Sequence, residues 1–108
     1  MDRAAVDEIS QRFGDALEHQ GISIDSIVLF GSYAAGTARE DSDIDLVVIS
    51  PDVEGMNLWE RAQLVGSALT IVREDIEAVI KTPAEWEAAD SLLITFAKEN
   101  GEVVYSRG

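Results

Sequence analysis

Val6, Ile9, Phe13 and Leu17 recur at helical spacing with charged residues between them, which predicts an amphipathic helix over residues 2–20, and Gly21 is placed to stop it. The run 24–30, apolar and β-branched, reads as a buried strand. It leads directly into Gly31-Ser32 and a short helix over 33–38. Residues 43–50, DIDLVVIS, read as a second strand ended by Pro51. Leu58, Ala62, Val65 and Leu69 mark a second amphipathic helix, with Asn57 and Glu60 forming its N-cap. The stretch 71–80 suggests a third strand starting near Asp75. Thr82-Pro83-Ala84-Glu85 is a capping box with proline at the first helical position. The helix it opens carries Trp86, Ala89, Leu93 and Phe96, with a break near Asp90-Ser91, and Gly101 ends it. Residues 102–105 close the chain as a short strand. Helices alternating with strands predict an α/β (α+β) chain, a small sheet covered by helices in one domain over residues 1–108. Strand directions stay open at this level.

Composition narrows the function classes. Acidic residues number 21 and basic residues 8, a formal net charge of -13. Such a surface repels phosphate backbones and anionic lipids, so neither long nucleic acid nor a membrane is an expected partner. No apolar run is long enough to span a bilayer, and the start, MDRAAVDEIS, is too acidic and too broken for a signal peptide. The cysteine count is zero, which excludes disulfides, thiolate metal sites and a thiol nucleophile. A cytoplasmic location is the expectation.

Chemistry concentrates in LFGSYAAGTAREDSDIDLVVI. Gly31 permits close backbone approach, and Ser32 offers a hydroxyl and an N–H where a helix begins, a small phosphate cradle. Asp43 and Asp45 stand two apart at the start of a strand, so both side chains point to one face while Ile44 and Leu46 point into the core. Paired carboxylates disfavour joint ionisation unless a cation lies between them, and hard oxygens in that arrangement suit Mg²⁺ with substrate phosphates. Asp75 and Glu77 alternate on the third strand, and either completes the set if that strand neighbours the second. Three carboxylates opposite a phosphate cradle are the layout for two-metal phosphoryl or nucleotidyl transfer. Each feature alone is ordinary: Gly-Ser is a common turn, Asp-x-Asp a common strand edge. Gly-Ser followed after ten residues by Asp-x-Asp arises by chance in a chain of this length about once in a thousand.

That combination resembles the signature of the nucleotidyltransferase superfamily that includes DNA polymerase β, and within it the minimal nucleotidyltransferases. Their pattern G-S-x10-D-x-D is met by Gly31, Ser32, Asp43 and Asp45. The resemblance implies a small mixed β-sheet covered by helices. It implies that Asp43, Asp45 and a third carboxylate hold one or two Mg²⁺ ions, and that Gly31 and Ser32 hold the β and γ phosphates of ATP. Spacing to Thr82-Pro83 in the family favours Glu77 over Asp75 as the third acid. The family usually has Asp there, so Glu77 is a departure. Many members also carry an arginine where Tyr33 or Ala35 stands; Arg39 is the candidate that supplies the charge here.

The implied activity is AMP transfer from ATP to a hydroxyl, on a small helical HEPN-type toxin that this chain would neutralise as its antitoxin. The acidic surface suits a basic protein partner. One alternative is an inactive relative that neutralises its partner by contact; another is a small-molecule, antibiotic-type nucleotidyltransferase. Outside the motif, His19 reads as a surface residue at a helix end, Trp59 and Trp86 as core or interface packing, and Tyr33 as packing or base stacking.

Overall fold

The computed structural model describes residues 1–106. Four strands form one sheet in the order β3-β2-β1-β4, with β1 Ser26–Phe30, β2 Ile44–Ile49, β3 Ile76–Lys81 and β4 Glu102–Ser106. β1 pairs antiparallel with β2 and β4, while β2 and β3 run parallel. The sheet is therefore mixed, as the resemblance implies. The parallel pair needs a crossover, and α3 (Leu58–Ile71) supplies it.

One face of the sheet carries Ile27, Leu29, Ile44, Leu46, Val48, Ile76 and Ile80 into the main core, under α1 (Arg3–Glu18) and α3. α1 begins at Asp2, whose carboxylate accepts from the Ala5 N–H, and it buries Val6, Ile9, Phe13 and Leu17 as their spacing predicts. His19 caps its C-terminus and is exposed. The opposite face carries Val28, Val47 and Ile49 into a smaller core with Ile94 and Ala97 of α5 (Leu92–Asn100). Gly101 lets α5 turn tightly back into β4: a Cβ there would collide with the Ala97 carbonyl and the Val28 side chain.

Several boundaries and faces differ from the sequence reading. The short helix α2 is Ser32–Ala35, because Gly36 takes a left-handed conformation and ends it early. The third strand starts at Ile76, beside the expected Asp75, and the apolar residues at the front of the stretch 71–80 belong to the end of α3, which runs on through Ile71. On α3, Leu58 is 80% exposed and Ala62 is exposed as well. Val65 and Leu69 do pack on the main core as their spacing predicts, together with Leu64, Ala68 and Val72 beyond the helix end, and the stripe's first member is a cation, Arg61. Trp59 is 70% exposed and takes no part in the core, whereas Trp86 packs on the smaller core with Lys98 over its ring.

The last helix does break. α4 (Pro83–Ala88) opens with the expected Thr82–Glu85 capping box and closes at Ala89 in the left-handed region, and Ser91 caps α5 anew. The restart shifts the helical phase, so Ile94 and Ala97 are buried while Leu93 and Phe96 lie partly exposed. Among the described residues no helix is long and apolar enough to cross a membrane.

Candidate active site

The site lies where three strand ends meet on the face of the smaller core. Phe30, Asp45 and Glu77 are register partners across β1, β2 and β3, so their side chains form one row on one face. Asp43 lies just before β2, exposed, two residues from Asp45, close enough for its charge to act on that carboxyl. Asp75 also precedes its strand and is exposed; its carbonyl accepts from the Ile44 N–H.

Gly31 has φ 75 and ψ -152, a conformation open essentially to glycine alone. It is also the surface on which the Asp45 carboxylate rests, since a Cβ on Gly31 would overlap Asp45 Oδ2. The chain reversal at Gly31-Ser32 is thereby fixed against the acid row. Gly31→Ala is expected to cost about 1–3 kcal/mol in stability and to displace Asp45. Urea denaturation and initial rates check this, and an unchanged midpoint with unchanged activity would refute the contact.

The electrostatics follow from the packing. The Asp45 carboxyl is held above its ordinary value first by burial, then by the charges of Glu77 and Asp43, and by a hydrogen bond with Glu77. Asp75 is not among the causes, so Glu77 is the third acid that acts on Asp45. Arg39 lies in the exposed loop between α2 and β2, its N–H donating to Ser42 Oγ at 2.8 Å. Tyr33 is buried in the main core, which leaves it packing rather than stacking on a base.

Among the described residues no group of three His, Cys, Asp or Glu side chains is arranged to hold a metal ion by itself. The acids form a row rather than a closed cage. That is compatible with Mg²⁺, which is ordinarily bound through one or two carboxylates plus substrate phosphates. The packed Gly31–Asp45 contact, with Glu77 and Asp43 beside that carboxyl, is the observation that fits such an ion.

The residues spanning 6–103 match the family model described as nucleotidyltransferase domain. The chain belongs to the nucleotidyltransferase domain family. It is similar to the protein adenylyltransferase MntA of Shewanella oneidensis, 48% identical over 44 residues, covering 40% of this chain and 32% of that protein. A Methanocaldococcus jannaschii protein assigned as a protein adenylyltransferase is 54% identical over 43 residues, 40% of this chain and 24% of the other. The matched segments thus span about a third or less of those relatives. A Sulfolobus solfataricus protein assigned to the nucleotidyltransferases shares the fold with a TM-score of 0.73 at 15% identity, covering 96% of this chain and 83% of the other. So does a toxin–antitoxin structure solved with AMP-PNP, TM-score 0.66 at 23% identity, over 90% of this chain and 73% of that one. A third shows a tri-AMPylated Shewanella oneidensis HEPN toxin in complex with MNT antitoxin, TM-score 0.58 at 19% identity, over 92% and 73% of the two chains.

Sequence reasoning within this nucleotidyltransferase signature missed the apolar side of the site. A pocket of about 200 Å³ adjoins the acid row, lined by Phe30, Asp45, Glu77, Val79 and Leu93 among others. Phe30 also meets Phe96 edge-on, with ring centres 6.5 Å apart. The signal available was the apolar Leu93 and Phe96, which the sequence reading places on one helix face with Trp86 and Ala89, although it also expects a break near Asp90-Ser91. A larger groove of about 370 Å³ lies away from the acids, between α3 and β3, walled by Arg61 and Glu85.

Proposed function

We propose that this chain is a Mg²⁺-dependent nucleotidyltransferase acting as one domain in the cytoplasm. It moves AMP from ATP to a hydroxyl on a partner protein, a small helical HEPN-type toxin, and so serves as its antitoxin. The observation that carries the reading is the Asp45 carboxylate seated on Gly31 and flanked by Glu77 and Asp43. The relatives add the partner: one is named for protein adenylyl transfer, and a fold neighbour pairs an AMPylated HEPN toxin with its antitoxin.

Asp43, Asp45 and Glu77 are the residues that would hold the ion. Mg²⁺, when bound, supplies the positive charge that offsets acids and phosphates and stabilises the oxygens entering and leaving phosphorus. Gly31 and Ser32 hold the β and γ phosphates at the end of β1, and Arg39 reaches the same anion from the following loop. The acceptor oxygen forms its bond to the α-phosphorus as the bond to the bridging oxygen breaks. Pyrophosphate leaves with that electron pair, and the acceptor proton passes to the Glu77 carboxylate. The protein's contribution is orientation and charge placement.

Incubation with ATP labelled at the α-phosphate, Mg²⁺ and a purified HEPN-type partner tests the reading. Label on the partner and released pyrophosphate are expected. A tight complex without label on the partner would favour the contact-only module, a reading that the Glu77 departure motivates. Mg²⁺ with ATP is also expected to raise the melting temperature, on the order of 10 °C at a hundredfold excess over Kd.

A further inference from the structure

We propose that the open edge of β3, where it borders the groove beside α3, is a docking site for an extended, basic segment of a partner protein, taken up as a fifth strand. This surface does not depend on the transfer reading. The ladder gives the backbone directions. The Ile44 N–H donates to the Asp75 carbonyl and the Ser50 N–H to the Lys81 carbonyl. In the parallel register the odd-numbered residues of β3 therefore turn their backbone groups to β2, and Ile76, Ala78 and Ile80 turn theirs outward. Arg61 takes the Ile80 carbonyl. Among the described residues nothing pairs with the Ala78 N–H and carbonyl or with the Ile80 N–H. The other outer strand, β4, has a register shift in its pairing with β1, an irregularity that blunts an edge, whereas β3 is regular along its length.

The surroundings specify the occupant. Ala78, Val79, Ile80 and Lys81 all line the groove of about 370 Å³. Consecutive strand residues belong to both faces, so the groove follows the strand's edge rather than one face. Its far wall is Leu58, Ala62 and Val65 of α3. A segment laid there pairs its own backbone with the outward N–H and C=O groups, and its alternate side chains fall against the apolar wall. Charge sets the rest. Past the groove the edge runs on to Ile76, where Asp75 and Glu77 are exposed, and the chain as a whole carries a net charge of -13. The cations along the edge are engaged, Arg61 with Glu85 and Lys81 facing Asp90 at 4.0 Å. Lysine or arginine at one end of the incoming segment meets the exposed carboxylates, and an acidic segment is repelled. A second copy of this chain fits poorly. Its β3, paired antiparallel about Ala78, would set the two acid rows side by side and add a second charge of -13.

The test follows the backbone amides of the isotope-labelled full chain as the peptide acetyl-KKVTVTV-amide is added to millimolar concentration. The Ala78 and Ile80 amides are expected to shift and to exchange with solvent at least tenfold more slowly. N-methylation of the alternate peptide residues whose N–H groups face β3 is expected to abolish binding, and methylation of the other alternate set to leave Kd within threefold. Glutamate in place of both peptide lysines is expected to raise Kd at least tenfold at low salt. Ala78→Pro removes an N–H that no strand of the sheet uses, so it is expected to keep the fold and lose the peptide. Leu58→Asn, at a wall position that is 80% exposed, is expected to raise Kd at least threefold. Unshifted Ala78 and Ile80 amides at millimolar peptide would overturn the proposal, as would equal effects of the two methylated sets, equal binding of the glutamate peptide or an unchanged Kd in Leu58→Asn. Protection of the same amides that grows with protein concentration in the absence of peptide would make a second copy the occupant and overturn it too.

Discussion

Replacing Asp43 and Asp45 together by asparagine is expected to lower nucleotidyl transfer by at least about 10³-fold while leaving the folded protein as stable as before or more so. On the proposed reading the two effects separate because both carboxylates would serve the ligand, while burial and neighbouring charge make Asp45 a burden on the fold. Asp45 is held above its ordinary value of 3.8 by burial and by Glu77 and Asp43. A carboxyl with a raised folded value is penalised once it ionises. The stability it contributes is present below 3.8 and is lost as pH rises through the folded value. Asp45→Asn should therefore melt higher than the parent at neutral pH without Mg²⁺, with the difference shrinking in acid. The double variant should also lose the melting rise that Mg²⁺ and ATP produce. A full ligand-induced rise in Asp43→Asn/Asp45→Asn would refute the site.

The largest structural effect should come from Arg61. Its guanidinium donates to the Met56 and Val53 carbonyls, to the Ile80 carbonyl at the free edge of β3, and to Glu85 Oε1 at 2.6 Å. Its side chain is only 12% exposed. One residue thus ties together the 3-10 turn Pro51–Val53, the start of α3, the end of β3 and the start of α4. Arg61→Met leaves three carbonyls and a carboxylate without this partner, and should cost about 3–5 kcal/mol in urea denaturation. Arg61→Lys should recover only part, because an ammonium cannot match the planar fork. Glu85 supplies a pH signature. Its carboxyl is held below 4.5, first by the hydrogen bond from Arg61. That stabilisation is present above 4.5 and disappears as pH falls through the lower folded value, so Glu85→Gln should flatten the acid limb of the stability curve. A loss below about 1 kcal/mol in Arg61→Met would show that the four contacts do not act together.

The interior face of α1 was legible because Val6, Ile9, Phe13 and Leu17 keep one phase over about three turns. Both capping boxes were legible because a cap is a local hydrogen-bond pattern, and Asn57–Glu60 and Thr82–Glu85 form as written. The Gly-Ser and Asp-x-Asp motifs were legible for the same reason, since each is a short pattern of chain neighbours, and the Asp43 charge does act on Asp45. The helix faces that were misread share a cause. On α3 the inward stripe begins with Arg61, and no apolar periodicity rule places an arginine inside. On α5 a new cap at Ser91 reset the phase, which turned Leu93 and Phe96 outward toward the site.

The sequence by itself determined the elements, the acidic surface and the Gly-Ser and Asp-x-Asp motifs, because each is a pattern of chain neighbours, whereas the antiparallel register of β1 on β2 brings Gly31 against Asp45. Tertiary structure decided which third acid joins them. Strand alternation leaves Asp75 and Glu77 alike and the resemblance's spacing to Thr82-Pro83 favours Glu77; the parallel register of β3 on β2 is what sets Glu77 beside Asp45. It also decided that an apolar pocket adjoins the acids, because Phe30, Val79 and Leu93 come from three separate elements. Contacts between residues distant in the chain are fixed by packing and register, and periodicity carries no record of either.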